Sequence, residues 1–258
     1  IRGVQIMPTK GFPVFHHIRS TMKDSASDSD GLEESFGQGA ILNEYALGKK
    51  GDVFADGSGR LMKAGTKINF QLHLHSTGKE TAGNIALGLK FYPKGYVPKK
   101  IVISNLLGSV PDLDIRPNTD NIRTDTYTTI TKPARLLSYQ PHMHNRGKVA
   151  CLEAIYRDGK TEMLNCVNFN FNWHVNYVYA DDTAPLLPAG TVLHAIQWHD
   201  NTAANRANPD PDALITWGQR TVDEMVSPWI SYYYMSDEDF KKEVETRRAQ
   251  QRTLTSAR

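Results

Sequence analysis

Cysteine is nearly absent. The 258-residue chain has two, Cys151 and Cys166, so one disulfide is the most it can form. Charge of one sign is lacking as well: 30 Lys and Arg stand against 28 Asp and Glu, a net charge of +2. That balance argues against a nucleic-acid partner, a disordered chain or a strongly charged surface. No apolar run approaches the ~20 residues of a membrane-spanning helix. Phosphate-loop and dinucleotide fingerprints are missing; "STGKET" lacks both the upstream glycine and a Ser or Thr directly after its lysine. There is no Gly-x-Ser-x-Gly elbow and no Asn-x-Ser/Thr sequon. The chain opens at Ile1 with neither Met nor an apolar leader, which reads as a processed or incomplete chain. Helical periodicity is almost absent before residue 236.

What recurs instead is the short β-type run between Gly, Pro, Asn and Asp clusters. "GTKINFQLHLH", "NIALGLKFY", "DTYTTI", "ARLLSYQPHMH", "KVACLEAIY", "TEMLNCVNF" and "GTVLHAIQWHD" are examples. Such strands, with turns every 8–12 residues or so, predict sandwiches or jelly rolls. The length suits one large domain or two ordinary ones. The turn-rich "LLGSVPDLDIRPNTDN" places a boundary near residue 110. The expected organisation is all-β, with two tandem antiparallel β-sandwich domains over 1–110 and 111–236 and a helical tail over 237–258. Residues 23–60 read as a long surface excursion, and the four tryptophans as sandwich core. The tail, "MSDEDFKKEVETRRAQQR", opens with a Ser-x-x-Asp cap signal and predicts a solvated helix.

The two cysteines flank "RDGK", an Asp-Gly hairpin turn. If Arg157 pairs with Lys160, Cys151 faces Cys166. That permits a disulfide and an oxidising compartment, while two reduced core thiols remain an equal alternative.

The nine histidines are grouped: His16-His17, His73-x-His75, His142-x-His144, and the singles His174, His194 and His199. Strand residues i and i+2 share a face, so an HxH pair in "SYQPHMHNRGK" can chelate one ion. Adjacent residues point apart, so His16 and His17 can do so only at a bend or bulge, which Pro13 makes plausible; otherwise one of them packs inside. A third ligand for His142 and His144 is offered by Met225. A thioether is a soft donor suited to Cu(I), although a single Met also serves as core filling.

At this point the chain resembles a family. "QPHMHNRGK", "FNFNW", "LPAGT", "HDNTAANRANPDP" and "WGQRTVDEM" occur in the order and spacing of the second catalytic domain of the type II, ascorbate-dependent copper monooxygenases. These are the relatives of peptidylglycine α-hydroxylating monooxygenase and dopamine β-monooxygenase; the bacterial branch is the most similar. "GVQIMPTKGFPVFHH" and "GKKGDVFADGSGRLMKAGTKINFQLHLHSTGKE" resemble the first domain, so the likeness covers residues 1–235.

The resemblance implies two coppers per chain, one in each of two β-sandwiches facing each other across a cleft. It implies an electron-reservoir site of His16, His17 and His73, supported by Gln71, and an oxygen-binding catalytic site of His142, His144 and Met225. It further implies O2, ascorbate or another one-electron reductant, hydroxylation of a C–H bond in a small-molecule or peptide substrate, a redox domain or protein partner, and an extracytoplasmic setting, periplasmic or secreted. The chain departs from the family pattern at Leu74, where a Tyr is common. His75 shares the His73 face and either competes with it for the metal or stands behind the ligands; His199, where relatives often carry an apolar or aromatic residue, reads as packing or as a contact behind the ligands. The substrate-binding side chains of the peptide and catecholamine enzymes have no match, so no particular substrate carries over. A non-catalytic copper-binding or structural subunit is the main rival reading, and a zinc hydrolase the weaker one.

Overall fold

The computed structural model describes residues 1–23, 40–49, 51–108 and 110–256. Its strands are β1 (Gly3–Lys10), β2 (Phe15–Lys23), β3 (Ala40–Ala46), β4 (Asp52–Val53), β5 (Ser58–Gly59), β6 (Lys67–Leu74), β7 (Asn84–Lys90), β8 (Lys100–Ile101), β9 (Ile103–Leu106), β10 (Ile122–Ile130), β11 (Ala134–Gln140), β12 (Gly147–Ile155), β13 (Thr161–Asn168), β14 (Tyr177–Val178), β15 (Leu186–Leu187), β16 (Thr191–His199) and β17 (Trp229–Tyr234). A single α-helix, α1, spans Asp237–Ser256. The fold is all-β, built of antiparallel sheets with a C-terminal helix, as the strand pattern predicts.

The chain forms two compact units. The first comprises residues 1–105 together with the four-residue excursion Asn172–Val175; the second comprises 106–171 and 176–258. The boundary falls slightly ahead of the predicted one. The excursion is a feature that a linear reading along the chain does not anticipate.

In the first unit, sheets of order β4-β1-β7 and β3-β2-β6 enclose a core of Ile6, Phe15 and Ile18 packed by Tyr45, Ile85 and Leu87. Alternation decides which residues enter it. Ile18 and its cross-strand partner Tyr45 point inward, so His17 and Arg19 lie on the opposite face of their sheet. The predicted surface excursion over 23–60 is corrected in part. Residues 40–46 form an edge strand with Leu42 and Asn43 buried, and Asn43 Oδ1 accepts the Ile6 N–H at 2.9 Å. Residues 24–39 lie outside the described residues.

In the second unit, the sheet β10-β16-β12-β13 packs on β11, flanked by β14 and β17 and joined by β15. Leu136 and Tyr139 of β11, Leu152 of β12, Leu193 of β16 and Ile230 of β17 are buried between them. Towards the C-terminal end of β16 the same inward face becomes polar, with Gln197 and His199 both fully buried.

The β12–β13 hairpin corrects the predicted register. The Tyr156 N–H donates to the Lys160 carbonyl at 2.8 Å, with Gly159 at φ 83, so the loop is one residue longer than a two-residue turn. A bulge between Leu152 and Glu153 then restores the offset, and Cys151 faces Cys166 after all, joined by a disulfide. The tryptophans are corrected too: Trp173 is 58% exposed, and Trp198, Trp217 and Trp229 are only half-buried.

The helix begins where the cap signal puts it. Ser236 Oγ accepts the Asp239 N–H at 3.1 Å and donates to Asp239 Oδ2 at 2.8 Å. It is not merely solvated: the Arg247 guanidinium donates to the carbonyls of Ala184 (2.6 Å) and Asp181 (3.2 Å), which ties the helix to the second unit. Among the described residues no helix is long and apolar enough to cross a membrane.

Candidate metal centres

The first histidine cluster is produced by a bulge. Gly11, at φ 74, turns the chain into a short 3-10 segment, Phe12–Val14, and β2 starts at Phe15. Phe15 pairs with Leu74 and His17 with His73, so His16 is the extra residue. The bulge removes the alternation that would point His16 and His17 apart. Their Nδ1 atoms are 3.0 Å apart and their ring centroids 5.2 Å. Two nitrogens each about 2.0–2.1 Å from a common ion stand about 2.9–3.4 Å apart, so this spacing suits a shared metal.

His73 lies directly across from His17, with ring centroids 3.9 Å apart. One pleat further along, His75 is outside the strand and exposed, its N–H donated to the Val14 carbonyl at 2.8 Å. Gln71 shares the His73 face and pairs with Arg19, whose other neighbour is Glu44. Burial lowers the Arg19 pKa, and the Glu44 carboxylate opposes that shift. His174, which the sequence leaves as a single, also stands here: its ring is 5.8 Å from that of His16 and 6.4 Å from that of His17.

The second cluster is held differently from the prediction. Pro141 offers no N–H for the ladder, and β11 ends at Gln140; His142 and His144 therefore sit in an extended connection, not in a strand. Their rings remain on one side, 5.5 Å apart, and both are buried. The His142 carbonyl accepts the Ser227 N–H (3.2 Å) and Gln197 Nε2 (3.3 Å).

Glu224, fully buried beside Met225, closes the arrangement. Its carboxylate accepts the backbone N–H groups of Arg146 (2.6 Å), His144 (2.8 Å) and Met225 (3.2 Å). The segment carrying the histidines and the segment carrying the methionine are thus bound to one side chain. Burial pushes the Glu224 pKa up to about 7 against the pull of those three donors. His199, its Nε2 3.7 Å from Glu224 Oε2, is pushed down to about 4 by burial and is neutral near pH 7.

The tautomer of His144 follows from its partner. Nδ1 lies 3.0 Å from the Asp223 carbonyl oxygen, which can only accept. Nδ1 therefore carries the proton, and Nε2 carries the lone pair that a metal takes.

Behind these groups Arg146 is a fully buried hub. It donates Nε to Asn201 Oδ1 (2.7 Å), Nη1 to the Val222 carbonyl (3.0 Å) and Nη2 to the Asp210 carbonyl (3.1 Å). This gives "HDNTAANRANPDP" its role: Asn201 spans the Arg116 and Ala213 carbonyls, and Asn205 holds the Asn145 carbonyl. Glu224 and Arg146 were not foreseen as parts of the site; the motif "TVDEM" and the Asn-rich loop were their signal.

His194 belongs to neither cluster. Its two nitrogens meet Glu153 Oε1 at 2.7 Å and Asp125 Oδ1 at 2.6 Å on the outer face of the β16 sheet.

The fold and these groups define a class: a two-unit β-sandwich protein with a histidine cluster in each unit. Imidazole nitrogens are the commonest metal donors, and the first cluster offers them at His16, His17 and His73; in the second, Glu224 holds the His144 and Met225 backbones together.

No family model and no curated protein matches the sequence. Among solved structures, that of the infectious bursal disease virus Gt strain is 9% identical, covers 91% of this chain and 56% of its own, and superposes at a TM-score of 0.29. The VP2 subviral particle of the same virus is 9% identical, with 93% and 66% covered and a TM-score of 0.26. The chain thus spans less than two thirds of either neighbour, and likeness at this level carries no argument about function.

Proposed function

We propose that the chain is a copper-dependent monooxygenase of the type II, ascorbate-dependent class, which uses O2 and a one-electron reductant to hydroxylate a C–H bond of an organic substrate. The observation that carries this reading is the division of donors: imidazole nitrogens at His16, His17 and His73 in one unit, and His142, His144 and Met225 in the other, the last two held by Glu224 through their backbone N–H groups. Copper, when bound, supplies one-electron chemistry at the first site and oxygen activation at the second.

The protein's own residues hold and tune those positions. The Asp223 carbonyl fixes the His144 ring so that Nε2 is the donor. Glu224 sets the spacing between the histidine segment and Met225, and Arg146 holds both from behind. Gln71, on the His73 face, would support electron movement from the first site under this reading. A hydrolytic zinc reading of the second site has little support: the Glu224 carboxylate is occupied by three backbone N–H groups and is not placed as a general base. The copper demand and the Cys151–Cys166 disulfide favour an extracytoplasmic setting.

The test is metal content per chain after copper loading, together with reductant-dependent O2 consumption. Two coppers, falling to one in Met225→Ala or His142→Ala with loss of turnover, are expected. Two coppers with no O2 consumption across reductants would favour the non-catalytic copper-binding subunit. Tightly held zinc, or no metal, would overturn the reading.

A further inference from the structure

We propose that His174 is a fourth imidazole ligand of the metal in the first unit, delivered by the Asn172–Val175 excursion. The inference rests on reading the first histidine cluster as a metal centre.

The excursion is seated by specific contacts. The His174 N–H donates to the Leu47 carbonyl at 2.9 Å. The Trp173 ring covers Gly48, where a Cβ would stand only 2.9 Å from the indole Cε2; Gly48 also has φ 91, a conformation that glycine tolerates and other residues resist. Burial along these residues is inverted. Trp173 is 58% exposed, while its polar neighbour His174 is 2% exposed. A segment folded for apolar burial would hide the indole. This one hides the imidazole and uses the indole as a clamp on the adjacent turn.

The rings stand close to a common point and need a small inward shift to share one ion. Rings bound through nitrogens at about 2.0–2.1 Å have centroids about 4.4–6.4 Å apart, depending on the angle at the metal. His174 lies 5.8 Å from His16 and 6.4 Å from His17, and His16 lies 5.2 Å from His17. His17 and His73, at 3.9 Å, have only to part slightly to join them. A Glu44 carboxylate oxygen lies within 4.8 Å of a His174 nitrogen. Four nitrogens with a nearby carboxylate suit Cu(II) better than three nitrogens do. His174 should therefore bias this site towards the oxidised ion.

The test uses the full chain carrying Met225→Ala, so that the first-unit site is the one loaded, and Cu(II) alone as the probe. Pulsed EPR counts the coordinated imidazoles, and competition titration gives the affinity. Four imidazoles are expected, falling to three in His174→Ala and in His174→Gln, which keeps a polar side chain of similar size. Cu(II) affinity should fall by about 10–100-fold, the range seen when a metal site loses a supporting group, and Cu(I) affinity by less. Added free imidazole should restore the lost coupling in His174→Ala, and His75→Ala should change nothing. If the His174 variants keep the wild-type count and affinity while His17→Ala loses the metal, His174 only packs and the proposal fails. If His17→Ala also binds Cu(II) unchanged, the metal-centre reading falls, and the proposal with it.

Discussion

At the scale of single residues, the second site depends on close packing as much as on its donors. Gly147 follows Arg146, and a Cβ there would stand 2.6 Å from the Phe169 ring and 2.7 Å from Met143 Cβ. Gly147→Ala must push Met143 aside, and Met143 lies between His142 and His144. We expect a loss of about 1–3 kcal/mol, typical of overpacking, measured by urea denaturation. Copper should weaken at the second site and stay unchanged at the first. Arg146 makes a stronger demand. Arg146→Met leaves the Val222 and Asp210 carbonyls without their donor and Asn201 Oδ1 with that of Asn208 alone. Stability should fall by about 3–5 kcal/mol, as when one partner of a buried charged network is removed. Arg146→Lys should rescue little, because an ammonium cannot span three acceptors held in a fork. A near wild-type midpoint for Arg146→Lys would mean that the hub is held by charge, not by geometry.

At the scale of elements, legibility followed the range of the interactions. The cap of α1 and the alternation of β1, β2 and β6 are local, and the sequence displays them. The bulge at His16 was legible as a requirement: two adjacent histidines share an ion only if alternation fails, and Pro13 hinted where. The placement of His142 and His144 on a strand was not sound, because Pro141 removes the ladder donor and the segment is held instead by Ser227, Gln197 and Glu224 from far along the chain. The β12–β13 hairpin shows two local departures that cancel. A longer turn shifts the register by one and a bulge shifts it back, so Cys151 faces Cys166 despite the different turn. This hairpin carries its own prediction. The disulfide spans a sequence separation of 15. Closing a loop of that size contributes at most ~3 kcal/mol, and less here because the hairpin already holds the strands together. Cys151→Ala/Cys166→Ala should remain folded with a lower midpoint, and dithiothreitol should lower the wild-type midpoint without affecting the double variant.

At the scale of the whole molecule, the two units differ in what the sequence could say about them. Turn-rich composition suggested a boundary near 110, and the compact units divide after residue 105. The assignment of Asn172–Val175 to the first unit was not readable, because four residues carry no compositional mark and their place is decided by the Leu47 carbonyl and by Gly48. Each unit has its own apolar core, Ile6, Phe15 and Ile18 in the first and Leu136, Leu152 and Leu193 in the second. Separate cores favour separate cooperative unfolding steps. We therefore expect two calorimetric transitions. A ligand that binds only the native state stabilises it by about 2.7 kcal/mol at 100 times its Kd, so copper should raise both transitions. Met225→Ala should abolish the rise of one, and His17→Ala the rise of the other. A single transition that both variants affect equally would mean that metal binding and folding are coupled across the chain. Each cluster would then have to be understood as part of one cooperative structure and not as the property of its own unit.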